Sequence, residues 1–276
     1  MDHPQGIAIN TRGEIIVVEY RKHCVSIFDS AGRKIRSIGS KGSERGQFDY
    51  PCGVALDEDD NILVTDGRND RIQKFSPNGE FIETVGTQGS NDLEFCIPVG
   101  IGINPYNRKI YVTESDGNRV QILNPDLTYD QCFGTGGTGG SGESDAQFNK
   151  PKDVAFDSAG NVYVADNEHS QIQVFTAEGE FLRRFGTRGR EDGQMEFCSA
   201  VSIDNNDIVY VTDLYNSRIL VFTKEGEFLT SFGSTGTGIG ELKDPRGIFV
   251  DHQNGVIYVS DYSNNRILKF SAINFI

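Results

Sequence analysis

Residues 151–186 read PKDVAFDSAGNVYVADNEHSQIQVFTAEGEFLRRFG, and the same pattern starts again at Pro4, Pro51, Pro98, Cys198 and Pro245. Successive starts are 47, 47, 53, 47 and 47 residues apart, a regular period with one six-residue insertion. A fixed period of roughly 20–50 residues marks a repeat architecture, because each unit is too small to bury its own faces and must stack on the next. The 276 residues therefore read as one domain of six units, at about 4–50, 51–97, 98–150, 151–197, 198–244 and 245–276.

Four segments recur in each unit. The first opens at Pro-x-Gly and is apolar, as in Gly53–Leu56. The second is a β-branched run ending in an acid: IIVVE (15–19), ILVTD (62–66), IYVTE (110–114), VYVAD (162–166), VYVTD (209–213) and IYVSD (257–261). Such runs are the mark of a strand buried on both faces. The third (RIQKF at 71–75, RVQIL at 119–123, QIQVF at 171–175, RILVF at 218–222, RILKF at 266–270) alternates polar with apolar, which predicts a strand nearer the solvent. A tight turn such as Ser76–Gly79 leads to the fourth, for example Glu80–Val85, closed by Gly86.

Four antiparallel strands per unit, six units and no helical periodicity predict an all-β, six-bladed β-propeller. The first strand of each blade is expected to line the central channel and the fourth to form the rim. The sixth copy ends at Ile276, where Phe275 aligns with Glu227 at the start of a fourth strand, so the sixth blade is expected to lack its outer strand. Met1 stands three residues before Pro4, too few for a strand supplied from that end, and the chain is expected to be a domain of something longer. The insertion, GTGGTGGSGES at 134–144, lacks the Lys and following helix of a phosphate-binding loop and reads as a flexible surface loop.

The formal charge of −14 argues against nonspecific binding along a phosphate backbone, which needs clustered Lys and Arg. Five cysteines (24, 52, 96, 132, 198), with no close pair, form neither a disulfide framework nor a zinc site. They read as free thiols in a reducing compartment. No signal peptide or apolar run of transmembrane length is present, so the expected location is cytoplasmic, with no membrane contact.

The repeated phrases GQF, PxG, GNxYVAD, NxRIQVF and GEFLxxFG resemble the NHL repeat over essentially the whole chain. Gly46–Phe48 precedes Pro51, Gln147–Phe148 precedes Pro151, and Asn69–Arg71, Asn118–Arg119, Asn216–Arg218 and Asn264–Arg266 carry the third-strand signature. Copy 5 departs, with Cys198 and Ala200 for Pro and Gly, as does copy 4, with Asp153 for Gly and His169–Gln171 for Asn–Arg. NPDLT and FTAEGEFL make the chain similar to the C-terminal propellers of metazoan TRIM-NHL proteins. That resemblance implies a propeller recruiting ubiquitination substrates or other protein partners, or in some members a structured RNA. Any ligase chemistry would lie in a RING domain, whose cysteine–histidine pattern this chain lacks.

Catalysis is the weakest reading. NHL-like peptide-amidating lyases hold zinc with histidines, but His3 and His169 are placed by the strand assignment on the opposite face from His252, leaving no convergent triad; His23 is the fourth histidine. A channel calcium site would need several inward oxygens, and only Asp153 stands at the first-strand entrance, where a hydrogen bond to neighbouring backbone is expected. The once-per-blade acids Glu19, Asp66, Glu114, Asp166, Asp213 and Asp261 read as structural acceptors. No cofactor and no metal are expected.

What remains is a face. The top loops, joining second to third strands and blade to blade, are acidic over blades 3 and 4 and close to neutral over blades 5, 6, 1 and 2. That neutral arc holds Tyr20, Arg21, Lys22, Tyr50, Arg68, Tyr215, Arg246 and Tyr262, residue types that protein interfaces favour. A recognition module docking a protein partner follows as the first reading, a structured RNA on the same arc as the alternative, with the domain alone expected to be monomeric.

Overall fold

The computed structural model describes residues 1–134, 145–251 and 254–271. Residues 135–144 of the insertion, His252 and the end of copy 6 that includes Phe275 lie outside the described residues. Six antiparallel sheets follow one another in the chain, each with its strands hydrogen-bonded in sequence order. Blade 2 is representative, with strands Pro51–Leu56, Ile62–Asp66, Arg71–Phe75 and Phe81–Val85. Among the described residues, blades 1 to 5 have four strands and the sixth has three, Pro245–Asp251, Val256–Asp261 and Arg266–Ser271. The described residues include short 3₁₀ turns but no α-helix, and no helix long and apolar enough to cross a membrane.

The apolar clusters sit between blades rather than within them. Val18, Val25, Phe48, Val54, Val64 and Phe75 join blades 1 and 2, and Tyr163, Val174, Met195, Val201, Val211 and Phe222 join blades 4 and 5. Burial on both faces is why every second strand from blade 1 to blade 5 is buried at all five positions.

One apolar plug closes each of the five wedges from blade 1 to blade 6. Phe48, Phe95, Phe148, Met195 and Leu242 are fully buried, and each sits over a glycine that ends the preceding fourth strand at positive φ (Gly39, Gly86, Gly134, Gly186, Gly233). A Cβ on Gly86 would lie 2.6 Å from the Phe95 ring, and one on Gly134 2.7 Å from that of Phe148. The repeated Phe-Gly and Gln-Phe phrases are thus two halves of one packing unit, which a side chain at the glycine would break.

The third strands correct the solvent-facing expectation. They are wholly buried in blades 1, 3 and 4. Their polar residues alternate because they face a buried acid, not water. Asp66 accepts hydrogen bonds from Asn69 Nδ2 (2.8 Å), Arg71 Nε (2.9 Å), Gln73 Nε2 (3.3 Å) and the Asp49 N–H (2.7 Å). The same Arg71 donates onward to the carbonyls of Ser43, Glu44 and Gln47, clamping the inter-blade segment. Glu114–Arg119, Asp213–Arg218 and Asp261–Arg266 repeat the arrangement. In blade 4 Gln171 and His169 take the place of Arg and Asn around Asp166, and in blade 1 Ser26 reaches Glu19. The six acids are structural acceptors, as their recurrence implies.

A second device links blade to blade. The residue after each second-strand turn is left-handed, and at five junctions its side chain accepts the N–H of the residue preceding the next innermost strand. The pairs are His23–Tyr50 (3.0 Å), Asp70–Ile97 (2.8 Å), Asn118–Lys150 (2.8 Å), Ser170–Phe197 (3.1 Å) and Asn265–His3 (2.7 Å). The last pair spans blade 6 to blade 1. With the packing of Ile7, Val17 and Phe28 on Tyr258, it joins blade 6 to blade 1.

Candidate functional site

The innermost strands converge so tightly at their N-terminal ends that the Pro-x-Gly glycine has a direct packing reason. A Cβ on Gly6 would meet the Cys52 carbonyl oxygen at 2.8 Å, and one on Gly100 the Lys152 carbonyl oxygen at 2.5 Å. Blade 4 carries Asp153 instead, and its Oδ2 accepts the Val201 N–H of blade 5 at 3.1 Å. That is the backbone role expected of it. Burial pushes its carboxyl up to about 7.

The middle residues of the six Pro-x-Gly positions, Gln5, Cys52, Val99, Lys152, Ser199 and Arg246, surround the top mouth of the channel together with Tyr20 and Ile97. Burial raises the Cys52 thiol to about 11, so it is neutral at physiological pH. Lys152 Nζ donates to Ser115 Oγ at 2.9 Å.

Outward from this mouth, five of the eight sequence-predicted residues form one continuous arc. The Arg246 guanidinium lies 4.0 Å from the centroid of the Tyr262 ring, Tyr262 is 6.2 Å from Tyr20, Tyr20 is 4.7 Å from Tyr50, and Arg68 stacks 4.5 Å over Tyr50. Local turns hold these rings. Tyr20 and Tyr262 each begin a 3₁₀ turn (Tyr20–Lys22, Tyr262–Asn264) and Arg68 sits in a third, Gly67–Asn69. Tyr50 is held by its own N–H, which donates to His23 Nδ1, and by the edge of the His23 ring at 4.6 Å. Accepting that bond requires a neutral His23 carrying its proton on Nε2, and burial accordingly lowers the His23 pKa. Arg21 and Lys22 extend the arc as exposed cations, Lys22 lying 3.7 Å from Glu19.

The structure departs from the sequence reading at two of the eight. Tyr215 is exposed but stands apart on blade 5, its ring 4.9 Å from Phe197, over which Arg188 lies at 4.6 Å. Tyr262 is buried, at 9% exposure, so it supports Arg246 rather than offering a surface. The arc thus spans blades 6, 1 and 2. Sequence reasoning missed Lys152 and His23. Lys152 occupies the same register as Arg246 and was readable by aligning the copies. The His23 position is filled by His, Asp, Asn or Ser and shares no letter.

Among the described residues no three His, Cys, Asp or Glu side chains are grouped to hold a metal ion. His3 bonds Asp2 and packs on Tyr262, and His169 bonds Asp166; His252 lies outside the described residues.

Comparison with known proteins bears on the repeat and the fold. The NHL repeat profile matches residues 1–28, 48–75 and 148–175, and a family described as "6-bladed beta-propeller" matches residues 190–276. Human NHL repeat-containing protein 3 is 42% identical over 77 residues, a match covering 26% of this chain and 21% of that protein. Similar solved structures include an auxiliary nutrient binding protein from Bacteroides thetaiotaomicron (TM-score 0.73, 14% identity, 98% of this chain and 69% of that one). A virginiamycin B lyase from Staphylococcus aureus, solved with quinupristin, is also similar (TM-score 0.67, 18% identity, 98% and 84%). So is a gluconolactonase from Xanthomonas campestris (TM-score 0.69, 14% identity, 95% and 84%). At such identities the likeness is one of fold, shared by binding proteins and enzymes alike. The chain carries NHL repeats built into a six-bladed β-propeller.

Proposed function

We propose that this chain is a non-catalytic recognition module, the partner-binding propeller of a TRIM-NHL type ubiquitin ligase acting in the cytoplasm. It docks a protein, a ubiquitination substrate, on the top-face arc of blades 6, 1 and 2. The observation that carries this reading is the unbroken series Arg246–Tyr262–Tyr20–Tyr50–Arg68, in which two arginines are held by aromatic rings. Rings and guanidinium groups fixed in advance lose little entropy on binding, and Tyr and Arg dominate the energetics of protein interfaces. A structured RNA would use the same groups for stacking, but the net charge of −14 opposes the several phosphate contacts that RNA affinity requires.

Site-specific photo-crosslinking tests the proposal. A benzophenone amino acid is placed at Arg21, exposed beside the arc, or at Tyr106, exposed on the opposite face. A discrete protein adduct from position 21, lost on adding Arg68→Glu and Arg246→Glu and absent from position 106, is the expected result. Equal adducts from both positions, or adducts that disappear with ribonuclease, would overturn it.

A further inference from the structure

The two cations at the channel mouth differ from the arginines of the third strands. The third-strand arginines are each neutralised by a second-strand acid. Lys152, by contrast, has only the neutral Ser115 hydroxyl within hydrogen-bonding distance and no ion pair among the described residues. Arg246 lies on the Tyr262 ring, its Nε is buried with no hydrogen-bond partner, and its guanidinium likewise makes no ion pair among the described residues. Both project from the same register of the innermost strands, on blades 4 and 6, into one opening. Burial, and less strongly the charge of Arg246, holds the Lys152 amine below its usual pKa. The Cys52 thiol on the same mouth is neutral. Asp153 stands beneath but is spent on the Val201 N–H, and Asp116 is exposed on the rim. In a chain with 40 acids and 26 bases, two cations that line one mouth and have no ion pair among the described residues form an anion site awaiting its anion.

We infer that the channel mouth is a seat for a single carboxylate, an acidic side chain or chain terminus of the docked protein, gripped between Lys152 and Arg246. The inference rests on the docking proposal and names the chemistry at its centre. The mouth measures about 140 Å³, room for a carboxylate and a short stem. Tyr20, Ile97 and Val99 supply apolar wall for that stem. Charge-assisted hydrogen bonds formed away from bulk water are the strong ones, and capture of a carboxylate needs only two convergent donors. A nucleic-acid backbone offers a line of phosphates and needs a line of cations, which this mouth lacks.

Lysine-selective arylation with fluorodinitrobenzene, quantified residue by residue on the whole chain, reads the seat directly. Titration with propionate at ionic strength held constant with chloride is expected to protect Lys152 saturably. Protection reaches about threefold when propionate is at twice its dissociation constant, while exposed Lys150 is unaffected. Protection should be lost in Arg246→Gln and partly retained in Arg246→Lys, which keeps a cation. No protection beyond chloride, equal protection in Arg246→Gln, or stronger protection by inorganic phosphate or a hairpin RNA than by propionate would each overturn the inference. The crosslink from position 21 needs neither substitution. Crosslinking without propionate protection sinks the seat and leaves docking standing; protection without crosslinking does the reverse.

Discussion

Replacing Asp66 with alanine removes one acceptor from four donors: the Asp49 N–H, Asn69, Arg71 and Gln73. Burial raises the Asp66 carboxyl above its ordinary pKa despite those bonds, so desolvation offsets much of what the charged pair contributes. The damage comes from what is left behind. Arg71 stays anchored by the carbonyls of Ser43, Glu44 and Gln47, and its charge stays half-buried without a counterion. Removing one partner of a buried ion pair costs about 3–5 kcal/mol. For a chain of this length that corresponds to a fall in Tm of about 6–10 °C, at roughly 2 °C per kcal/mol. Blade 4 supplies the control. Asp166 occupies the same position but is met by His169, Gln171 and Gln173 rather than an arginine. Asp166→Ala should therefore cost less, about 1–3 kcal/mol from orphaned hydrogen-bond donors. Denaturant titration of both variants, with the slope checked for constancy, measures the difference. Equal losses, or a loss below about 1 kcal/mol for Asp66→Ala, would refute the counterion argument.

Three further outcomes follow from the same contacts. Asn265→Ala removes the blade 6 to blade 1 bond to the His3 N–H and strains a φ of +57°, so it should cost about 1–3 kcal/mol and speed amide exchange over Pro4–Ile9. Asn265→Gly relieves the strain alone, and full recovery by glycine would show that the bond contributes nothing. Asp153 has a folded pKa raised to about 7, above its unfolded value, so wild-type stability should fall as pH rises toward 7. Asp153→Asn, which keeps an acceptor for Val201, should raise Tm at pH 8 and leave it unchanged at pH 4; a gain at pH 4 would contradict the titration account. His23 has a depressed pKa, so its contribution is complete above about 6.5 and is lost as pH falls through the folded value. His23→Asn, tolerant of the left-handed backbone at φ +53° and still an acceptor for Tyr50, should flatten Tm between pH 7 and 5. An unchanged slope would contradict it.

The period of the repeat was enough to read the architecture, because each copy states its strand pattern and the copies agree. Asp153 was readable for the same reason, as the one acid among the Pro-x-Gly positions. Gln73 and Gln121 misled because a polar residue alternating along a strand looks the same whether it faces water or a buried carboxylate. Tyr215 was grouped with the arc because loop composition says which face a residue occupies, not which neighbour its ring reaches. Lys152 and Arg246 share a register that comparison of copies exposes. Their lack of acidic partners depends on where every other side chain points, and only the folded ring shows it.

Recognition is assigned to the arc on blades 6, 1 and 2. Hydrogen–deuterium exchange on the chain bound to the protein trapped from position 21 tests it most directly. The account predicts protection at Tyr20–His23, Asp49–Tyr50, Gly67–Asn69 and Tyr262–Asn264, with the blade 4 loop Asp166–Ser170 and the opposite-face turn around Tyr106 unchanged. Protection centred on Asp166–Ser170 or on Tyr106, with the Tyr20–His23 turn still exchanging freely, would contradict it.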